Sequence, residues 1–376
     1  MLFAFEALRD DEVRAIARID RLREDLHFHV VQTPRRWSGL LARMTRAKAI
    51  RGSNSIEGIY VSQEDAIAAI DGADPSEADR RTWQAVTGYR QAMDYILQRC
   101  RNRDFAFSPE TLLAVHFMIA QSHLDANPGN WRPGWVCVRD ARSGDIVHEG
   151  VDRDRLEPLI DELVTVLNGP PAQPVLVKAA MAHLNLAMLH PFSDGNGRAA
   201  RCLQTAVLAK EGIVAPVFSS IEEYIGAHQQ AYYDVLADVG GGGWHPDRDT
   251  RPWVRFCLAA HYHQARTLLR RTRELERVYA ELQALTDRLG LHERTTLALV
   301  EAAFGFRVRN ASYRVAAEVS VNLASRDLKA LVDHGLLVAS GERRGRHYAP
   351  ADRVLQIRDR HRLPKNRGDP FAPGDE

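Results

Sequence analysis

The segment His190-Pro191-Phe192-Ser193-Asp194-Gly195-Asn196-Gly197-Arg198-Ala199-Ala200-Arg201 decides how this chain is read. It follows VLVKAAMAHLNLAML, residues 175–189, which is apolar almost all round, as a helix in the middle of a core must be. His190 ends that helix and Pro191 prevents it from continuing. Gly195-Asn196-Gly197 then leads into a second apolar helix running to Gly212, a residue suited to a C-cap. A glycine-rich turn at a helix N-terminus aims several backbone N–H groups at one point, an anion nest strengthened by the helix dipole. Arg198 and Arg201, three apart, share one helix face and can donate as forks to phosphate oxygens. Asp194 is an oxygen ligand placed for Mg²⁺ beside such phosphates. His190 titrates near neutrality and can take a proton from a hydroxyl. Each part alone fits a tight turn with a core histidine and surface arginines. Together they suit phosphoryl or nucleotidyl transfer, where positioning and charge stabilisation carry the chemistry.

Outward from this segment, helical patterning dominates. Residues 8–26, 37–50, 63–71 and 78–101 read as helices, Ser108-Pro109-Glu110 caps and starts another, and helix resumes at about 154–168. Asn127-Pro128-Gly129-Asn130 is a break. The clearest strand signal is Trp135-Val136-Cys137-Val138, the turn Ala141-Arg142-Ser143-Gly144-Asp145, and Ile146-Val147-His148, which together predict a hairpin. Gly240-Gly241-Gly242-Gly243 lacks the Lys-Ser/Thr of a phosphate-binding P-loop and is a plain loop. A long charged helical pattern covers 253–288.

The 376 residues imply two or three domains, and 45% hydrophobic and 26% charged content is ordinary for a globular protein. Fifty basic against forty-nine acidic residues give a net charge of +1, so the chain as a whole is not a polyanion binder and any nucleic-acid surface is local. Cys100, Cys137, Cys202 and Cys257 form no CxxC pair and read as packed, reduced thiols. The N-terminal stretch lacks the features of a secretory leader, and no apolar run reaches the ~18 residues of a membrane span. A cytoplasmic protein without membrane contact is expected.

The 190–201 segment resembles the signature of the Fic family, His-x-Phe-x-(Asp/Glu)-Gly-Asn-Gly-Arg-x-x-Arg, at every specified position. The resemblance extends over roughly 45–260. Gly129-Asn130-Trp131-Arg132 with the 135–148 hairpin is similar to the family's flap, which registers a target segment. Ala231-Tyr232-Tyr233-Asp234 is similar to its post-motif helix near the nucleotide base. The resemblance implies a protein AMP transferase with ATP as substrate and Mg²⁺ as cofactor. His190 would be the general base that deprotonates a Ser, Thr or Tyr hydroxyl of a target protein for attack on the α-phosphorus. Asp194 would hold Mg²⁺, Gly195, Asn196 and Gly197 would cradle the anion, and Arg198 and Arg201 would bind the β- and γ-phosphates. The kinase-like Doc branch usually has Lys at the position of Gly197, so Gly197 argues for AMP transfer. Ser53-Asn54-Ser55-Ile56-Glu57-Gly58 resembles the family's inhibitory motif, (Ser/Thr)-x-x-x-Glu-(Gly/Asn). Ser53 and Glu57, four apart on a helix, face the same way. A capping box would need Glu three after Ser, where Ile56 stands. The resemblance implies that Glu57 pairs with Arg201 and restrains transfer.

Residues 289–350 resemble the winged-helix units of bacterial regulators. The helix 323–334 turns Leu323, Leu328, Leu331 and Val332 inward and Ser325, Arg326 and Lys329 outward. Arg343, Arg344 and Arg346 tip a hairpin wing. Base edges and phosphates of duplex DNA are one partner for these groups, and protein docking is the other. The expected protein is therefore mainly α: a Fic helical core with a β-hairpin flap plus a C-terminal winged helix-turn-helix domain. The expected divisions are an N-terminal helical region at 1–105, the core at 106–265, a connector at 266–288, the winged helix at 289–352 and a partly disordered tail at 353–376. A DNA-binding regulator with a nucleotide-sensing or self-modifying core, and an enzyme that mainly removes AMP from modified protein, are the alternatives. The oligomeric state is open, a homodimer being one option.

Overall fold

The computed structural model describes residues 1–27, 38–140, 143–170, 172–213, 220–342, 345–365 and 368–373. The chain is mainly helical, with α1 Asp10–His27, α2 Ser38–Ile56, α3 Gln63–Asp71, α4 Arg80–Cys100 and α5 Pro109–Ala120. The hairpin strands β1 Cys137–Arg139 and β2 Ile146–Glu149 follow, then α6 Arg153–Asn168, α7 Val175–Leu189, α8 Asn196–Lys210, α9 Glu222–Ala227, α10 Gln229–Gly240 and α11 Arg251–Arg288. The rest is α12 Thr295–Ala303, α13 Asn310–Ala317, α14 Val321–Asp333, β3 Leu337–Ser340, β4 His347–Pro350 and α15 Asp352–Arg360.

The chain forms two compact units, one of residues 1–22, 45–265 and 368–376, the other of 23–44 and 266–367. These units cut across the expected divisions. The N-terminal helices from residue 45 share a unit with the core, and 266–288, expected as a connector, belongs to the second unit.

The first unit is built on α7 and α8, which pack along each other while α4 and α5 flank α8. Both central helices are buried on nearly every face, so each has neighbours all round. Trp253 of α11 is fully buried and donates its indole N–H to the Ala180 carbonyl of α7 at 2.7 Å. Ser108 caps α5, accepting from the Thr111 amide, and Pro109 occupies the first turn. The helix α2 runs to Ile56, six residues beyond the patterned stretch. Within this extension Gly52 lies where any Cβ would clash with the backbone of Glu222. Gly226 of α9 faces it, a Cβ there meeting Gly52 Cα at 2.7 Å. Two glycines thus let α2 and α9 cross backbone to backbone. The hairpin pairs antiparallel, Cys137 opposite Glu149 and Val138 opposite His148. Its tip residues Ala141 and Arg142 lie outside the described residues.

In the second unit, α12, α13 and α14 precede the antiparallel pair β3–β4, which registers Leu337 with Pro350 and Ser340 with His347. Ser320 caps α14. Leu328 and Leu331 are buried as the spacing predicts, while Leu323 and Val332 are only half-buried and Ala324 and Asp327 take the remaining inner positions. Asp327 is buried because Arg294 forks onto it at 2.7 and 2.9 Å and the Tyr313 hydroxyl donates at 2.9 Å. Ser325, Arg326 and Lys329 are exposed. Arg343 and Arg344 lie outside the described residues.

The stretch after 353 was expected to be partly disordered, yet α15 covers its first part. Its Val354 and Ile357 are buried, and Arg360 and His361 hold Glu281. In the first unit, Arg18 donates to the carbonyls of Asp369, Pro370 and Ala372. The four cysteines are free, and only Cys137 is not buried. No helix among the described residues is long and apolar enough to cross a membrane.

Candidate active site

His190 caps α7 in the left-handed region, at φ 49°. This tight exit, followed by Pro191, turns the chain at once into the loop 191–195. Asn196 closes that loop: its side chain accepts from the Phe192 amide at 2.9 Å and donates to the Phe192 carbonyl at 2.8 Å. Its amide group is therefore consumed inside the loop, and what it can offer an anion is its backbone N–H. Gly195, at φ 81°, supplies the sharp turn into α8. The first-turn N–H groups of Asn196, Gly197 and Arg198 have no carbonyl within the helix and converge at its positive end.

The ring of His190 is half-buried, and its Nδ1 lies 3.2 Å from the Ala187 carbonyl. A carbonyl only accepts, so Nδ1 carries the hydrogen and Nε2 keeps its lone pair. Burial, helped by nearby His148 and Arg132, pushes the imidazole down to about 4, so it is neutral at physiological pH.

Asp194 is half-exposed. One carboxylate oxygen accepts from the Gly195 amide at 2.6 Å, while the other lies 3.6 Å from Arg198 and 3.7 Å from His123. Among the described residues no group of three or more His, Cys, Asp or Glu could hold a metal unaided. A single exposed carboxylate beside an anion nest fits Mg²⁺ that arrives with phosphates and keeps much of its own water.

Arg198 and Arg201 are both buried, and each has a buried nitrogen without a hydrogen-bond partner, Nε of Arg198 and Nη1 of Arg201. Such orphaned donors point to an absent anion. Arg201 is otherwise fully engaged with the end of α2. Its Nε donates to the Ser53 hydroxyl at 2.8 Å, and its Nη2 to the Ser53 carbonyl at 3.0 Å and to the Glu57 carboxylate at 2.7 Å. Burial alone would lower the Arg201 pKa, but the Glu57 charge overrides it and holds the guanidinium protonated.

Glu57 itself stands one residue past the helix, in a turn that Gly58 closes at φ 72°. A Cβ on Gly197 would lie 2.6 Å from Glu57 Oε1 and 3.1 Å from Arg201 Nη1. The carboxylate therefore rests on the first turn of α8, over the nest.

The two tyrosines diverge. Tyr232 is buried with its hydroxyl 3.1 Å from His183 Nε2, and the other ring nitrogen of His183 faces Gln204 Oε1 at 2.7 Å. The amide oxygen accepts, so His183 carries its hydrogen there and accepts from Tyr232; burial keeps it neutral, near 3. Tyr232 thus backs the Arg201 guanidinium from inside the core. Tyr233 is 40% exposed, and its hydroxyl donates to the Ile56 carbonyl at 2.6 Å, a carbonyl also held by Gln229 at 2.8 Å.

His116 was not singled out in the sequence, and Arg132 and His148 were named only as parts of the flap. His116 is buried and stacked 3.9 Å from Phe192; it accepts from the Gly129 amide and donates to the Asp194 carbonyl, both at 3.1 Å. Arg132 is buried and donates to the carbonyls of His190, Gly134 and Val151. His148 on β2 donates from Nε2 to the Met188 carbonyl at 2.9 Å. The glycine run 240–243 is more than a plain loop: the Gly242 carbonyl accepts from the Glu149 amide at 2.9 Å and braces β2.

Residues 106–208 match the model of the Fic/DOC family. The protein adenylyltransferase Fic of Aedes aegypti is 31% identical over 175 residues, which are 46% of this chain and 31% of that protein. The protein of the same name from Nematostella vectensis is 26% identical over 208 residues, 54% and 44% of the two chains. This chain thus matches less than half the length of these curated relatives. The crystal structure of a Fic family protein from Desulfovibrio desulfuricans G20 superposes with a TM-score of 0.60 at 21% identity, covering 92% of this chain and 98% of that one. A Fic-1 fragment from C. elegans gives a TM-score of 0.53 at 18% identity, covering 69% and 72%. The fold of these structures is shared, and the stretch similar to the Fic/DOC family is residues 106–208.

Proposed function

We propose that the protein transfers AMP from ATP to a Ser, Thr or Tyr hydroxyl of a target protein and that Glu57 restrains it. The observation that carries this reading is the carboxylate of Glu57, which lies 2.7 Å from Arg201 and rests against Gly197. It occupies the place that a terminal phosphate would take between the helix N-terminus and the guanidinium. The names of the relatives support AMP transfer, and the neutral His190 supports the chemistry.

In the reaction, the target hydroxyl sits against His190 Nε2, which takes its proton as the oxygen attacks the α-phosphorus. The bond to pyrophosphate breaks, and the electron pair leaves on its oxygen. The N–H groups that open α8, with Arg198 and Arg201, stabilise the charge on the departing phosphates. Asp194 would hold Mg²⁺, which neutralises phosphate charge when bound. While Glu57 holds Arg201, ATP cannot seat its γ-phosphate there, and its α-phosphate lies off the line of attack; small misplacements cost ~10²-fold. The test is labelling with ATP carrying the isotope at its α-phosphate. Glu57→Gly should incorporate label into protein far faster than the native chain, and Glu57→Gly with His190→Ala should not. A folded, ATP-binding Glu57→Gly protein without gain sinks the inhibitory reading.

A second reading concerns the other unit. Three helices followed by a hairpin, with Arg326, Lys329 and Arg346 exposed, support a winged helix that binds duplex DNA. Fluorescence anisotropy of the full chain on a labelled duplex should show affinity falling steeply with salt. No binding at low salt would turn the reading to protein docking.

A further inference from the structure

The flap is tied to the very turn that carries His190, and from two sides. On one side Arg132, 1% exposed, donates Nε to the His190 carbonyl at 2.9 Å. The rest of its guanidinium reaches the carbonyls of Gly134 and Val151, which flank the two strands at the open end of the hairpin. Its own amide donates to the Pro191 carbonyl at 2.9 Å. One planar group thereby spans three carbonyls, which the single point charge of lysine cannot reproduce.

On the other side His148, 9% exposed, points inward from β2 and donates to the Met188 carbonyl, two residues before His190. The two imidazoles lie 5.9 Å apart. The other nitrogen of His148, Nδ1, is buried without a partner. A buried acceptor left unpaired is a cost that general packing would not favour over a leucine or phenylalanine. The ring is suited to this place by its one N–H, which reaches a helix-end carbonyl from a strand. Behind it the Gly242 carbonyl holds the Glu149 amide, so β2 cannot slide without breaking both contacts.

We infer that Arg132 and His148 are positioning residues that fix the flap hairpin in register with His190 Nε2, and so set where a target hydroxyl meets the base. This inference rests on the AMP-transfer reading. Neither side chain need touch nucleotide; their office is to hold hairpin and base as one rigid piece.

The test uses the full chain carrying Glu57→Gly, with self-labelling from α-labelled ATP and the binding of a non-cleavable ATP analogue measured by calorimetry. His148→Asn places an amide where Nδ1 stands and cannot reach Met188. It should lower the labelling rate at saturating ATP by ~10–10²-fold while analogue affinity stays within about twofold. His148→Gln places its N–H where Nε2 stands and should restore most of the rate. Arg132→Lys should fall as His148→Asn does if it folds; circular dichroism and melting decide that, and the His148 pair stands without it. Equal labelling in His148→Asn and its parent, failure of His148→Gln to rescue, or a loss of rate matched by a loss of affinity would each overturn the inference. Absence of labelling in the Glu57→Gly parent would instead overturn the underlying AMP-transfer reading.

Discussion

Arg201 is the residue on which the site turns. It is buried, it keeps one nitrogen without a partner, and Ser53 holds it by two bonds independent of Glu57. Removing the carboxylate should therefore leave the guanidinium aimed. On the proposed reading, Arg201→Ala gains no activity, and Arg201→Ala with Glu57→Gly behaves as Arg201→Ala alone, because lock and clamp are lost together; labelling rates of the three variants check this. His190→Ala in the Glu57→Gly chain should keep nucleotide affinity and lose ~10²–10⁴-fold in rate, the share of a positioned base. Calorimetry beside labelling separates the two quantities. The 190–201 segment was legible in sequence because base, nest and arginines are contiguous. Its supports were not. His116 meets Asp194 across 78 positions and Arg132 meets His190 across 58, and each contact is to a backbone carbonyl, which leaves no complementary side chain to notice. Asn196 was read as part of a backbone nest for anions, and that reading gave no sign that its side chain closes the loop on Phe192.

At the scale of elements, α2 is placed by its crossing with α9. Gly52→Ala would drive a methyl into the Glu222 backbone, an overpacking of about 1–3 kcal/mol that the helix can relieve by moving away. If α2 presents Glu57, Gly52→Ala should lower the melting temperature and raise basal AMP labelling in a chain that still has Glu57. A lower melting temperature with no rise in labelling would detach inhibition from the crossing. Most helices were readable from their apolar spacing, α3 to the residue, and so was the hairpin, within two residues. The end of α2 was less clear: the patterned stretch stopped at 50 while Ser53 and Glu57 were read on one helix, and α2 ends between these limits, at Ile56. The helix α15 was missed because it is short and charged, and only two buried residues tie it down.

For the molecule as a whole, four histidines share one condition. His116, His148, His183 and His190 are each pushed below the ordinary imidazole value, chiefly by burial, His116 and His190 to about 4 and His183 to about 3. In the unfolded chain they would take up protons near 6.5, while the folded chain resists until far lower pH. The unfolded state thus binds more protons throughout that window, and stability falls as pH drops from about 6.5 towards 4. Urea midpoints measured from pH 7.5 to 4.5 should decline accordingly. Replacing His183 by Gln, which can still accept from Tyr232 or donate to Gln204, should flatten the slope. Over the same range the rate of the Glu57→Gly chain should not fall through protonation of His190 until well below pH 6. Helical patterning announced the class of fold. The units part after 22, 44 and 265, the last being where the expected core ends; the divisions after 22 and 44 left no mark in the sequence, because α1 and α2 run across them unbroken.

If Glu57 restrains transfer as proposed, its seat on the first turn of α8 has a thermodynamic consequence. A carboxylate and a phosphate that require the same guanidinium are linked ligands, and linkage is reciprocal. Whatever factor the latch takes from the affinity for ATP, ATP must take from the latch. Any event that loosens α2 tightens the grip on nucleotide by the same ratio, and a rising supply of nucleotide is itself such an event. On the proposed reading, the contact at 2.7 Å between Glu57 and Arg201 would then be a set point as well as a lock, its strength fixing the concentration of ATP at which transfer begins.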